Sequence, residues 1–279
     1  MRHVVAVIAD EHGGSRLGLL NPETRLTDEN GAEYQPTLLK TQEWLWESHI
    51  DAILETLEFA NDDPIYLVHN GDICQGSKHG TVVSPLAVDQ VTIALCNLDP
   101  WLQWGNVERL YLIEGTQAHD FTGGTAEKLV LQALKDDLYV RYTPHLRLRV
   151  EEALFDIAHH GSHPGGRVWL RGNPARFDLR DAMLSEILRG QPVPNLYVRA
   201  HYHQPIDELT TLEGGHSSRV MIVPSWQAAD QFVRKVAKSP ARICCGMAAI
   251  EVIDGQIGRV IKPLYEQELW LEEVVTTNG

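Results

Sequence analysis

The sequence predicts an α/β fold in which two mixed sheets pack face to face with helices on both outer surfaces, a four-layer αββα sandwich. In the first half, short apolar runs alternate with amphipathic stretches of helical spacing, which is typical of a parallel doubly wound sheet. The second half is richer in strand patterns than in helices. No break in composition divides the 279 residues, so we expect one domain spanning residues 1–279.

Strands and helices alternate along the first half. The run at residues 3–9 is rich in valine and bounded by Asp10, as expected of a buried parallel strand. A polar segment with glycines and prolines follows, and apolar residues then recur at helical spacing. The predicted elements after it are helix 38–60, strand 65–68, helix 85–102, strand 107–113 and helix 123–134.

The second half begins with alternating apolar and polar residues at 146–158, which predict a hairpin that turns at Glu151 and Glu152. A loop rich in glycine and proline follows, and then a helix. The predicted elements after the hairpin are loop 160–174, helix 178–189 and strands 196–200, 219–223, 246–253 and 257–261.

Composition narrows the class of protein. The net charge of −14 opposes the phosphate-backbone attraction that supports non-specific nucleic-acid binding. The first residues enter a strand at once, and no apolar run approaches the roughly 18 residues of a membrane helix, so we expect a cytoplasmic protein without a membrane span. Four cysteines without zinc-knuckle spacing are consistent with a reducing compartment. Nothing indicates the oligomeric state.

Imidazole and carboxylate side chains follow the predicted strands. Because ligands bind at the carboxyl ends of strands in open α/β sheets, we expect these clusters to meet. Such donors suit Mn, Zn, Fe or Ni, and one aspartate can bridge two ions in a paired site. The clusters are Asp10 to His12, Gly71 with Asp72, Gly115 to Asp120, His159 to Gly161, and His201 to His203.

This ordered series resembles the calcineurin-like metallophosphoesterase superfamily, whose motifs run Asp-x-His, Gly-Asp, Gly-Asn-His-(Asp/Glu), His and Gly-His-x-His. The resemblance spans residues 10–203, with the later strands matching the second sheet of the family. It implies a first metal held by Asp10, His12 and His203, a bridging Asp72, and a second metal held by His160 and His201. Of the two adjacent histidines, His160 is preferred over His159, because the isolated histidine of the family often directly precedes a glycine, as His160 precedes Gly161.

The third cluster departs from the family pattern. The metal-binding asparagine is absent, and Gly115 is followed by Thr116, Gln117 and Ala118. The amide oxygen of Gln117 is the predicted replacement ligand; the Thr116 hydroxyl is a weaker candidate, and His119 itself is a third. By resemblance, His119 is otherwise the general acid that protonates the leaving group, with Asp120 orienting its ring.

The resemblance implies a dinuclear metal-dependent phosphoesterase that hydrolyses phosphate mono- or diesters through a hydroxide bridging the ions. Mn²⁺ is the expected metal, with Zn, Fe, Ni and Mg as alternatives. Arg167 and Arg171 are candidate substrate-binding residues, although a solvated loop and helix start is the simpler explanation of them. Two alternative functions remain: a DNA or RNA nuclease of the same superfamily, and a non-catalytic scaffold with this fold.

Overall fold

The computed structural model describes residues 1–28, 30–78, 82–121, 125–134, 139–229 and 244–267. The helices are α1 (Lys40–Ala60), α2 (Ala87–Trp104), α3 (Ala126–Ala133) and α4 (Asn173–Leu188). The strands are β1 (Arg2–Ile8), β2 (Leu26–Thr27), β3 (Glu33–Tyr34), β4 (Ile65–Asn70), β5 (Val107–Ile113), β6 (Tyr139–Thr143), β7 (Leu146–Val150), β8 (Ala153–Ile157), β9 (Leu196–Arg199), β10 (Ile206–Thr211), β11 (Ser217–Ile222), β12 (Cys244–Gly246), β13 (Ala248–Ile253), β14 (Gln256–Ile261) and β15 (Leu264–Glu266).

The first large sheet has six strands in the order β14-β13-β1-β4-β5-β6. Its strands β1, β4, β5 and β6 run parallel, and β13 and β14 add an antiparallel edge. In β1 every residue from His3 to Ile8 is buried, because helices cover one face of the sheet and the second sheet covers the other.

The second large sheet has five strands in the order β10-β11-β9-β8-β7. Strand β9 runs parallel to both β8 and β11, while β7 and β10 pair antiparallel with their neighbours. The predicted hairpin is confirmed as β7 and β8, and its turn residue Glu151 adopts a φ of 52°. Both large sheets are therefore mixed, as predicted.

Three apolar cores separate four layers. The first lies between α1, α2, α3 and the first sheet, and Ile53, Leu98 and Leu67 pack together there. The second fills the space between the sheets around Phe155, and the third joins α4 to the outer face of the second sheet around Leu179. The predicted αββα architecture is confirmed.

Some elements differ from their predicted bounds. Helix α4 begins at Asn173, five residues before the predicted start. Pro174 fits its first turn, because the backbone N–H that proline lacks has no intrahelical hydrogen-bond partner in the first turn of a helix. Strands β6 and β10 were not predicted, since both carry polar residues on an exposed face. Residues 123 and 124 of the predicted helix 123–134 lie outside the described residues.

Among the described residues, no helix combines the length and the apolar character that crossing a bilayer requires.

Candidate metal centre

The polar clusters come together at the carboxyl ends of parallel strands from both sheets. Strands β1, β4 and β5 bring one part of the site from the first sheet, and β8 and β9 bring the other from the second. This is the edge at which α/β sheets bind ligands. The residues beyond these strands are Asp10, His12, Asp72, Thr116, His119, His159, His160, His201 and His203.

Four overlapping groups of imidazoles and carboxylates form one continuous array, and the ligand atoms within each group lie within 4.8 Å of one another. The predicted ligands Asp10, His12, Asp72, His160, His201 and His203 all belong to it. The groups are Asp10 with His12 and His203; His12 with Asp72 and His119; Asp10 with Asp72 and His159; and His159 with His160 and His201.

The atoms of the first group converge on a common point. The Nε2 atom of His203 lies 3.2 Å from Asp10 Oδ1 and 3.4 Å from His12 Nε2. Asp10 Oδ1 and His12 Nδ1 are buried and have no hydrogen-bond partner among the described residues. The three side chains that meet here, one buried carboxylate and two imidazoles, are the kinds of donor that a divalent transition-metal ion prefers, so these residues fit a metal ion.

The backbone at the site is held in a conformation that L-residues rarely adopt. Five array residues have φ between 47° and 70°, in the left-handed region. Such values cost energy for residues other than glycine, and they concentrate at functional sites, where the surrounding structure enforces them. The five residues are Asp10, His12, Asp72, His201 and His203.

The protonation states of most array residues favour the binding of a cation. Burial opposes ionisation of Asp10, but His203 and His159 outweigh it and hold the pKa of Asp10 below its ordinary value. The pKa of Asp72 is likewise lowered against burial, chiefly by the hydrogen bond from His159. Burial lowers the pKa of His12 to about 3, so its imidazole is neutral and able to coordinate metal.

His159 is the exception, because burial is outweighed by Asp10 and Asp72, which raise its pKa to about 9. Its ring is fixed between two partners: Nδ1 donates to the Asn70 carbonyl at 2.6 Å, and Nε2 lies 3.0 Å from Asp72 Oδ2. A metal ion bound to the carboxylates of Asp10 and Asp72 would therefore compete with the proton that His159 carries.

Both histidines of the adjacent pair belong to the array. His159 is buried, whereas His160 is exposed and its ring centroid lies 4.5 Å from that of His201. Burial, followed by the proximity of His159, lowers the pKa of both His160 and His201. His159 thus lies in the array beside the predicted His160; its signal in the sequence was its place as the first polar side chain after a buried strand.

The third cluster contributes Thr116 to the array. Its Oγ1 atom lies 3.1 Å from His201 Nδ1 and 3.3 Å from His159 Nε2, and its amide donates to Asp72 Oδ1. Gln117 is exposed and faces a cavity that also contains Lys78. Gln117, the predicted replacement ligand, lies on the exposed side of this turn, whereas the Thr116 hydroxyl faces the histidines of the array.

His119 belongs to the array group that contains His12 and Asp72. Its Nδ1 atom lies 2.8 Å from the Gln75 carbonyl, and its Nε2 atom lies 3.9 Å from Asp72 Oδ2. The Gln75 carbonyl thereby assigns the proton to Nδ1 and orients the ring. Asp120, the predicted orienting residue, is half-buried; burial raises its pKa, and its carboxylate accepts a hydrogen bond from the Ala126 amide.

The two predicted substrate-binding arginines, Arg167 and Arg171, contact Trp169 and Pro205. The guanidinium of Arg167 stacks 5.4 Å from the ring centroid of Trp169, which is itself exposed. Arg171 donates to the Pro205 carbonyl at 2.7 Å, two residues beyond His203. Arg171 thus supports the loop that carries His203.

A second set of polar side chains lies buried beside the array and was not predicted. Asn97 donates to Glu11 Oε2 at 3.2 Å, and His69 Nε2 lies 3.6 Å from Glu11 Oε1. In the same region Glu127 Oε1 accepts from the Ile73 amide at 3.4 Å, while its Oε2 atom has no partner in the described part of the chain.

No protein-family model and no curated protein matches the chain. Among solved structures, it is similar to the NAD nucleotidase of Haemophilus influenzae (14% identity, 94% of this chain and 50% of that chain, TM-score 0.42), so it spans half the length of that protein. It is also similar to a dimetal phosphatase from Danio rerio (11% identity, 94% and 99%, TM-score 0.38) and a metallophosphoesterase from Sphaerobacter thermophilus (11% identity, 96% and 89%, TM-score 0.33). In motif order and in layer architecture, the chain resembles the calcineurin-like metallophosphoesterase superfamily.

Proposed function

We propose that this protein is a dinuclear metal-dependent hydrolase of phosphate esters. The observation that supports this most directly is the position of Asp72, which belongs to one group with His12 and to another with Asp10 and His159. A carboxylate shared in this way can bridge two ions.

In the proposed centre, Asp10, His12 and His203 hold one ion, and Asp72 lies between the two. His159, His160 and His201 hold the other, and the Thr116 hydroxyl takes the place that Gln117 was predicted to fill. Two bound ions would polarise the phosphoryl oxygens and lower the pKa of a bound water. Mn²⁺ is the first ion to test, because the mixture of carboxylates and imidazoles suits it.

His119 is the proposed proton donor. Its Nδ1–H is held by the Gln75 carbonyl, which leaves Nε2 directed at the array and able to pass a proton to the departing alkoxide. Asp120 then acts on the position of the His119 turn through its contact with the Ala126 amide.

The test begins with metal-stripped protein reloaded with Mn²⁺, Zn²⁺, Ni²⁺ or Mg²⁺. Hydrolysis of 4-nitrophenyl phosphate and of its bis-ester is followed by absorbance, and bound metal is measured by mass spectrometry. We expect Asp72→Asn to lower kcat/KM at least about a thousandfold, while Asp178→Asn, at an exposed position of α4, leaves it unchanged. Absence of turnover with every ion, together with no bound metal, would contradict the proposal; cleavage of DNA but of neither ester would favour the nuclease alternative.

A further inference from the structure

A cavity of about 360 Å³ opens on the His119 side of the candidate metal centre. Two ammonium groups, two hydroxyl groups and one carboxylate lie on its walls. Its lining residues are Ser77, Lys78, Gln117, Asp120, Phe121, Thr125 and Lys128.

The cavity wall and the turn that carries His119 are packed directly together. Gly76 has a φ of 76°, and a Cβ added there would lie 2.5 Å from the carbonyl carbon of His119. Lys78 Nζ donates to the Gln117 carbonyl at 3.0 Å, and the Gln75 carbonyl contacts the His119 ring. Residues 75–78, which lead into the cavity wall, are therefore in direct contact with the turn that carries His119.

The charge of the cavity opposes that of the whole protein. The chain carries a net charge of −14, yet Lys78 and Lys128 outnumber the single lining carboxylate, Asp120. Lys128 Nζ lies 4.8 Å from the ring centroid of Tyr142, which holds the ammonium at the rim. The lining therefore carries one more positive than negative side chain, and this excess would attract an anion.

We infer that this cavity binds the leaving group of the substrate and selects phosphate esters whose leaving group carries a second anion, such as a carboxylate or another phosphate. The inference rests on the proposed function, because the proposed proton donor His119 fixes the side from which the leaving group departs. Lys78 and Lys128 pair with the second anion, and the hydroxyls of Ser77 and Thr125 donate hydrogen bonds to it.

The experiment compares phenyl phosphate with 4-carboxyphenyl phosphate, whose leaving group carries an additional carboxylate, by phosphate release from the metal-loaded protein. The measured quantity is the anion preference, the kcat/KM of the charged ester divided by that of the neutral one. We expect Lys78→Ala or Lys128→Ala to lower this preference about threefold each, and the double variant about tenfold. Lys78→Arg should retain it, and added salt should weaken it in the wild type.

Lys40→Ala, at the exposed start of α1, is the matched control and should change neither kcat/KM. An unchanged anion preference in the double variant would overturn the inference, and so would an equal loss for both esters, which is what a purely structural role at the Gln117 carbonyl would produce. In both cases phenyl phosphate hydrolysis by the wild type would still support the proposed function. Failure of the wild type to hydrolyse either ester would instead overturn the proposed function itself.

Discussion

Replacing Glu127 with glutamine should stabilise the metal-free protein above neutral pH and leave it unchanged in acid. Glu127 is buried in the first turn of α3, and burial raises the pKa of its carboxyl from 4.5 to about 7. A carboxyl whose pKa is raised by folding keeps its full contribution to stability below the unfolded value and loses it as the pH rises through the folded value. Between pH 4.5 and 7 the wild type should therefore lose stability.

The loss follows from the two pKa values. The difference of 2.5 between 7 and 4.5 corresponds to about 3 kcal/mol of unfolding free energy. Glutamine cannot ionise, so the variant lacks this loss and keeps an oxygen that can accept from the Ile73 amide. The variant should thus be about 3 kcal/mol more stable than the wild type at pH 8 and equally stable near pH 4.5.

Urea unfolding at pH 5, 6, 7 and 8, followed by the fluorescence of the seven tryptophans, measures this difference after treatment with a chelator. Subtracting the unfolding free energy of the wild type at each pH cancels the contributions of other groups that titrate in the same range, such as His159. Glu47→Gln on α1 is the control, because it removes an exposed carboxylate. The difference in unfolding free energy between this variant and the wild type should be the same at every pH. If the free-energy difference between the Glu127 variant and the wild type is the same at pH 5 and pH 8, the assigned burial effect is wrong.

Three further outcomes are expected at the metal centre. Thr116→Val should weaken binding of the second Mn²⁺ about tenfold by calorimetry, whereas Thr116→Ser should not; equal affinities would remove the hydroxyl from the site. Gly115→Ala places a Cβ 2.2 Å from Asp72 Oδ1, so metal binding should be lost while the far-ultraviolet circular dichroism is retained. Since His159 keeps its proton up to a pKa of about 9, the apparent metal affinity should rise about tenfold per pH unit between pH 6 and 8, and a flat profile would mean that no proton is displaced there.

The parts of the site that could be predicted are those that depend on a short stretch of sequence, such as an apolar run followed by a polar residue. Asp10 and Asp72 follow buried apolar strands, and the position of a strand end depends only on a few neighbouring residues. The carboxyl ends of parallel strands then bring such residues together without further information. The same locality explains why the hairpin of β7 and β8 was predicted correctly.

The remaining features depend on backbone angles and long-range contacts that the spacing of residues in the sequence does not predict. Whether Thr116 or Gln117 turns inward depends on the φ and ψ angles of a short turn packed against Asp72. The contacts of Gln75 and Glu127 are made across the fold, by residues that belong to no motif. Strand β10 was missed because it lies at a sheet edge, where polar residues are tolerated and the apolar alternation is weak.

The division of the ligand array between the two sheets links metal binding to the stability of the fold. The His201 amide from the second sheet already donates to Asp10 Oδ2 of the first at 3.2 Å. An ion shared by such loops would act as a cross-link between the sheets, and a hundredfold excess over its Kd would add about 2.7 kcal/mol to the unfolding free energy. The rise in melting temperature can therefore rank candidate ions without any knowledge of the substrate, and a chelator would loosen the packing of the two sheets.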